Sequence, residues 1–302
     1  MALVNNIEML KNAQKSKKAV GGFNFTTLEQ LKTILKVANE QNYPVIIQAS
    51  ESAINFIGIE TLVAMVKAEA KNVDIDVCLN LDHGKNFEIC KKAIDAGFTN
   101  VMIDCSSKPM DENIEITKKV VEYAHPRNVS VEAELGALKG VEDEVCSRSS
   151  VFTKPEEALL FVNQTNVDSL AVSIGTSHGA YKFTGESFLD IDRLKQIKMA
   201  VNVPLVLHGA SMVDENLLCD FEKSGGNIGN AKGVSKVNLQ NAIDNGICKV
   251  NMDTDFRLAF TTGVRNSLKD PKIFNLRDYL KCGQTEMEKR VLERILILSR
   301  KV

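Results

Sequence analysis

Apolar residues along this chain gather into short runs of seven to nine positions, each followed by a polar turn and then by a stretch where apolar residues return every three or four positions. The runs are Ala19–Phe25, Pro44–Ser50, Asp76–His83, Asn100–Ser106, Ser130–Gly136, Ser169–Gly175, Pro204–Ala210 and Ile247–Asp255. Most are near-continuous rather than alternating, the pattern of parallel strands covered on both faces. Between them lie amphipathic stretches, among them Leu28–Asn39, Phe87–Ala96, Asn113–Ala124, Pro155–Gln164 and Asn216–Lys223. Gly97 and Gly246 each follow such a stretch just before the next run, as helix-stopping glycines do. Eight strand–helix units predict an α/β fold of the (β/α)₈ TIM-barrel type, a single domain spanning residues 1–302. The rival is a doubly wound open sheet, but no GxGxxG follows any of the runs.

Two segments exceed this minimal plan. Residues 140–153 form a polar, acidic loop after the fifth strand, expected to be mobile in the free protein, and 224–235 (SGGNIGNAKGVS) is a glycine-rich insertion. Loops of that length without structure of their own are usually lids, binding loops or disordered segments. The net charge of −2 offers no concentrated basic surface, which argues against a nucleic-acid partner. No apolar run approaches the ~20 residues of a membrane span, and the first residues lack the apolar core of a signal peptide. The seven cysteines are an odd number with no CxxC pair. That usage fits free thiols in a reducing cytoplasm.

There are four histidines, and three of them end apolar runs and precede glycine: NLDHG (80–84), GTSHG (175–179) and VLHGA (206–210). Strand ends of a barrel open on one face, so His83, His178 and His208 are expected to converge there. Three neutral imidazoles around an open position make a catalytic zinc arrangement, although a lone histidine in a core strand is more often a hydrogen-bonded structural residue. His125, at a helix end in YAHPRN, reads as a surface residue. Carboxylates gather on the same rim: Asp82, Asp104, Glu132, Glu134, Asp253 and Asp255. Strand alternation predicts that Asp82 and His83 project in different directions and that Glu132 and Glu134 share a face. Buried carboxylates need a metal or an ion partner, so a structural ion-pair layer is the alternative. Glycines and hydroxyls after the last two strands suggest a phosphate site made of backbone N–H groups.

The ordered set FNF (23–25), QAS (48–50), LDHG, MIDCS (102–106), VEAELG (131–136), GTSHG, LHGAS (207–211), NMDTD (251–255) and CGQTEM (282–287) resembles the class II fructose-bisphosphate aldolases and their tagatose-bisphosphate relatives, almost end to end. The resemblance implies reversible, zinc-dependent cleavage of fructose 1,6-bisphosphate to dihydroxyacetone phosphate and glyceraldehyde 3-phosphate, the glycolytic and gluconeogenic step. It implies His83, His178 and His208 as zinc ligands, with Asp104 and Glu134 at a second or alternative position for a divalent or monovalent cation. Asp82 would be the acid/base for the aldehyde half, and Glu142 the carboxylate that exchanges the proton at the nucleophilic carbon. Gly179, Gly209, Ala210, Ser211, Asp253 and Thr254 would wrap the dihydroxyacetone phosphate end, with Asn251 beside its reacting oxygens and Lys182 adding charge to a phosphate. Ser50 would contact the glyceraldehyde 3-phosphate half, and Arg277 the second phosphate, across the interface of a homodimer or homotetramer. Many relatives read HGGSG where this chain has His208-Gly-Ala-Ser-Met212, so the phosphate loop departs from the family at Ala210 and Met212.

Other activities fit less well. A tagatose-bisphosphate aldolase differs in stereochemistry, and NMDTD favours the fructose enzyme. A zinc hydrolase could also use three histidines, but barrel hydrolases carry HxH on the first strand, where this chain has FNF. A non-catalytic phosphosugar-binding protein would not need Asp82 or Glu142. Schiff-base chemistry needs a lysine within the strand cores; none is expected there, Lys249 coming nearest.

Overall fold

The computed structural model describes residues 3–136, 139–142, 145–147, 151–178, 189–229 and 231–302, with the side chains of 139–142, 145–147, 177 and 178 outside the description. Strands β1 (Val20–Asn24), β2 (Val45–Ser50), β3 (Val77–Gly84), β4 (Asn100–Ile103), β5 (Ser130–Leu135), β8 (Ser169–Val172), β10 (Leu205–Leu207) and β11 (Ile247–Met252) close into one barrel. Their order is that of the eight apolar runs, and every neighbouring pair is parallel. The later strands are shorter than their runs, because the chain turns into loops that shape the mouth. The segment after β5 is a short hairpin, β6 (Lys139–Glu142) with β7 (Val145–Ser147), and β6 pairs with β9 (Ser177–His178).

Helices follow the expected stretches: α2 (Leu28–Glu40), α5 (Phe87–Ala96), α6 (Met110–Ala124), α7 (Pro155–Thr165) and α9 (Glu215–Lys223). Local chemistry sets several starts: the side chains of Thr27 and Asn86 accept N–H bonds from the first turns of α2 and α5, and Asp214 does so for α9. Such caps contribute about 0.5–2 kcal/mol each. Gly97 stops α5 at φ 108°, where a side chain would be strained. The remaining cover is α3 (Glu51–Ile57), α4 (Ile59–Glu69), α8 (Ile191–Ala200) and α10 (Lys236–Asp244).

Three helices were not evident from the runs. Helix α1 (Ile7–Lys15) closes the strand N-terminal end, where Met9, Leu10 and Ala13 pack on Val20, Ile46, Cys78 and Cys248. Helices α11 (Thr254–Ser267) and α12 (Leu276–Leu298) form an antiparallel hairpin. Their backbones approach so closely that a Cβ on Gly263 would lie 2.3 Å from the Cys282 carbonyl oxygen. Helix α12 also packs on α2, where Gln284 Nε2 donates to the Glu29 carbonyl at 3.2 Å.

The main hydrophobic core lies between strands and helices. Above the apolar layer that α1 covers, the barrel lumen is polar instead, lined by Asn24, Gln48, Asn80, Asn100, Ser130, Glu132 and Lys249, all buried. The 224–235 insertion is braced rather than free where it is described. Ile228, Ala231 and Val234 are buried, and Gly233 N and Val234 N donate to the Val213 and Ser211 carbonyls.

Candidate metal centre and active site

Asp82 and His83 occupy consecutive positions of β3, and simple alternation would send one of them away from the mouth. Both reach it. The register between β3 and β4 shifts between Leu81 and Gly84, and His83 adopts the left-handed region at φ 49°. A bulge of this kind re-aims a side chain, and a non-glycine residue held at positive φ marks a site where the surroundings enforce the strain. Gly84 makes the turn possible, because a Cβ there would lie 2.8 Å from the Met102 carbonyl oxygen. The expectation that these two residues diverge is therefore corrected.

His83 Nε2 faces His208 Nδ1 at 2.9 Å. The far nitrogen of each ring is held by a carboxylate: His83 Nδ1 by Asp104 Oδ2 and His208 Nε2 by Glu132 Oε1, both at 2.8 Å. Those bonds set each ring so that one nitrogen turns to its carboxylate and the other to the shared space, the arrangement of metal-binding histidines with an outer carboxylate. Burial disfavours charge on His83, but the facing Asp82, Asp104 and Glu134 outweigh it and hold the ring's proton well above the usual histidine range. Burial pushes His208 below that range against its Glu132 bond, with the charge of His83 adding to the depression. Loss of solvent would raise the Asp104 carboxyl, yet its bond to His83 and those from Ser106 hold it below the usual carboxylate range.

Beneath the histidines, Lys249 Nζ donates to Glu132 Oε2 at 2.7 Å, and both side chains are 0% exposed. Burial would raise the Glu132 carboxyl, but the Lys249 charge and then the His208 bond bring it down to about 2. Lys249 thus stands inside β11, contrary to the expectation that no lysine lies within a strand core. Its ammonium is engaged in an ion pair at the floor of the site. Four acidic side chains, Asp82, Asp104, Glu132 and Glu134, surround the two imidazoles, and the Lys249 ammonium is the one that the described residues place among them. So much buried negative charge calls for a cation. Two ligand sets have atoms within 4.8 Å of one another: Asp82 with His83 and His208, and His83 with Asp104 and Glu134. Mixed nitrogen and oxygen donors of this kind suit zinc.

Asp82 accepts Asn24 Nδ2 on Oδ2 at 2.7 Å and Asn251 Nδ2 on Oδ1 at 3.1 Å. Ser50 pairs in register with Asp82 across β2 and β3, and its hydroxyl caps α3. On the other side of the mouth, Gly209 turns the chain at φ 59° after His208. The Ser211 hydroxyl then accepts from the backbone N–H groups of Asp253 and Thr254, at 3.2 and 3.3 Å, at the start of α11. Helix N-terminal donors at the ends of the last two barrel strands are suited to a phosphate.

Departures from the family at Ala210 and Met212 are absorbed locally. Ala210 is fully buried, and the Met212 backbone is clamped: its N–H donates to Asp255 Oδ2 at 3.1 Å and its carbonyl accepts Arg294 Nη2 at 2.8 Å. Arg294, on α12 and 0% exposed, also donates to Asp255 at 2.8 Å. This clamp and the Arg257–Asp253 ion pair (2.7 Å) were missed by sequence reasoning, as their partners lie far apart in the chain or outside the motifs.

Some expected residues stand elsewhere. His178 and Glu142 lie where only the backbone is described; Gly140, in Glu142's strand, pairs with His178. Gly179 and Lys182 lie outside the described residues. Arg277 is exposed in the first turn of α12. His125 is exposed and bonds Asp168 at 3.0 Å, away from the cluster as expected.

The class II fructose-bisphosphate aldolase family model matches residues 4–301. The chain is 46% identical over 301 residues to the fructose-bisphosphate aldolase of Helicobacter pylori (strain ATCC 700392 / 26695), covering 98% of each. It is 46% identical over 281 residues to that of Thermus caldophilus, covering 92% of each. Among solved structures, the YdjI aldolase from Escherichia coli K12 superposes with a TM-score of 0.81 at 28% identity, covering 98% of this chain and 97% of that one.

Proposed function

The chain belongs to the class II fructose-bisphosphate aldolases, a family of metal-dependent lyases, and we propose that its barrel mouth holds zinc on His83, His178 and His208. The enzyme cleaves fructose 1,6-bisphosphate into dihydroxyacetone phosphate and glyceraldehyde 3-phosphate. The tagatose-bisphosphate alternative is not favoured, since the named relatives are fructose-bisphosphate aldolases. The observation that carries the site is the meeting of Asp82, His83 and His208 ligand atoms within 4.8 Å, from strands far apart in sequence. A divalent ion there supplies a Lewis acid for the negative charge left when the carbon–carbon bond breaks.

The chain's own residues do the rest. Asp82 takes the proton of the substrate hydroxyl as the neighbouring carbon–carbon bond breaks, which releases the aldehyde half. The electron pair remains on the dihydroxyacetone phosphate half, where Glu142 delivers a proton to carbon. Asn251 lies beside the reacting oxygens, and Gly209, Ala210, Ser211, Asp253 and Thr254, with Gly179 and Lys182, hold the first phosphate. Ser50 contacts the aldehyde half. Asp104 and Glu134 offer an alternative position for a divalent or monovalent cation. Arg277 of the partner subunit reaches the second phosphate in a homodimer or homotetramer, a reading supported by the 90% exposed Phe274 and the exposed Leu276 beside it. No helix among the described residues is long and apolar enough to cross a membrane. Free thiols at six described cysteines support a cytoplasmic setting.

Treating the purified enzyme with a chelator is expected to abolish cleavage, and added zinc to restore it. A substrate adduct trapped on lysine by borohydride would overturn the reading.

A further inference from the structure

The polar row inside the barrel has a direction. Ser130 Oγ donates to Asn100 Oδ1 at 2.7 Å, Asn100 Nδ2 to Asn80 Oδ1 at 2.5 Å, and Asn80 Nδ2 to Gln48 Oε1 at 3.0 Å. Gln48 Nε2 then donates to Asn24 Oδ1 at 3.0 Å, and Asn24 Nδ2 to Asp82 Oδ2 at 2.7 Å. The first four links join residues in register on neighbouring strands: Ser130 with Asn100, Asn100 with Asn80, Asn80 with Gln48, and Gln48 with Asn24. The row therefore crosses five strands as one layer beneath the mouth and ends on the carboxylate.

We propose that this buried amide row is a positioning device for Asp82, which fixes the carboxylate from the barrel lumen beneath it. An ionised carboxylate only accepts, so Asn24 must present its N–H₂ to it and leave its own oxygen for a donor. Gln48 must then donate, and the same demand passes to Asn80 and Asn100 until it reaches the rotatable Ser130 hydroxyl, whose oxygen also lies 2.8 Å from Asn6 Oδ1. Flipping any one amide would set oxygen against oxygen on one side and N–H₂ against N–H₂ on the other, each mismatch leaving buried polar groups unsatisfied. Every amide also points its N–H at the next carbonyl in the same sense, an alignment that strengthens each bond by roughly 10–30%. Asn251 closes the other carboxylate oxygen, so Asp82 is held on both sides. Gly22 leaves the space for this packing: a Cβ there would lie 2.5 Å from Gln48 Oε1 and 2.8 Å from Asn251 Oδ1.

The inference rests on the proposed role of Asp82, so Asp82→Ala is the reference variant. Asn80→Leu and Asn100→Leu break the row without adding charge, and Gln48→Met breaks it at nearly constant side-chain volume. The metal-loaded variants are compared for cleavage kcat and KM, for proton exchange into dihydroxyacetone phosphate, for bound metal and for Tm. Cleavage kcat is expected to fall about 10- to 100-fold, the scale of a misplaced catalytic group. KM should move less than about threefold, with exchange and metal content retained, as in Asp82→Ala. Should the leucine variants not fold, Gln48→Met carries the same test, since it removes the amide at nearly constant volume. Lowered Tm with wild-type kcat would make the row a structural element only, and exchange falling in step with cleavage would show general damage; either overturns the proposal. If Asp82→Ala itself cleaves normally, the reading of Asp82 fails, and the row has nothing to position.

Discussion

Replacing Lys249 by methionine isolates the ion pair at the floor of the site. Both Lys249 and Glu132 are fully buried and meet at 2.7 Å, so the single change strands a carboxylate beneath the histidines. Burial would raise the carboxyl, and the Lys249 charge is the first of the influences that bring it down to about 2 instead. Breaking a buried pair from one side costs about 3–5 kcal/mol. The sign follows from the depressed value: the native contribution is fully present above about 4.5 and is lost as pH falls through about 2. Urea unfolding of the metal-free protein at pH 7 is therefore expected to show Lys249→Met less stable by about 3 kcal/mol. The deficit should shrink toward pH 5, as Glu132 becomes able to take a proton in the variant. Glu132→Gln added to Lys249→Met should restore stability to within about 1 kcal/mol of wild type, because no unpaired charge remains. A single-variant loss below about 1 kcal/mol, or a double variant as unstable as the single, would refute the reasoning.

Asp82→Ala should keep its metal and lose about 10²–10⁴-fold in turnover; turnover within a few-fold of wild type would remove Asp82 from the mechanism. Arg294→Leu should lower stability by about 3 kcal/mol or more and raise KM, because Asp255 loses its buried partner and the Met212 backbone its clamp. An unchanged urea midpoint would count against the clamp. Gly84→Ala should cost about 1–3 kcal/mol, since the new methyl meets the Met102 carbonyl, and should weaken metal binding by disturbing His83. Isothermal titration with zinc reads the second effect. Glu142→Ala should keep zinc but slow tritium exchange into dihydroxyacetone phosphate, and normal exchange with Asp143→Ala or Glu144→Ala impaired would reassign the base.

The barrel was legible because apolar strands covered on both faces leave near-continuous runs, and all eight runs became its strands in order. Histidine–glycine strand ends likewise brought His83 and His208 together, because parallel closure puts every strand end on one face. Alternation failed at Asp82 and His83, where the shifted register and positive φ depend on contacts with β4 that no local pattern encodes. The polar lumen was hidden for a related reason. Asn80, Asn100, Gln48 and Lys249 look like interruptions in apolar runs until the barrel closes, and only then do the amides satisfy one another and Lys249 meet Glu132. The hairpin at β6 and β7 was taken for a bare loop because its charged residues mask any strand period. The 224–235 insertion was read only as glycine-rich, whereas Gly233 serves close approach: a Cβ there would lie 2.1 Å from Val213 N.

Metal content measured against cleavage rate tests the central claim most directly. Wild-type protein loaded with increasing zinc should reach full activity at one bound ion per chain, with rate proportional to occupancy. His83→Ala, His178→Ala and His208→Ala should each lose the ion and the activity together, while His125→Ala, whose ring bonds Asp168 away from the cluster, should keep both. Full cleavage activity in metal-free protein, or an ion retained in His83→Ala and lost in His125→Ala, would contradict the account.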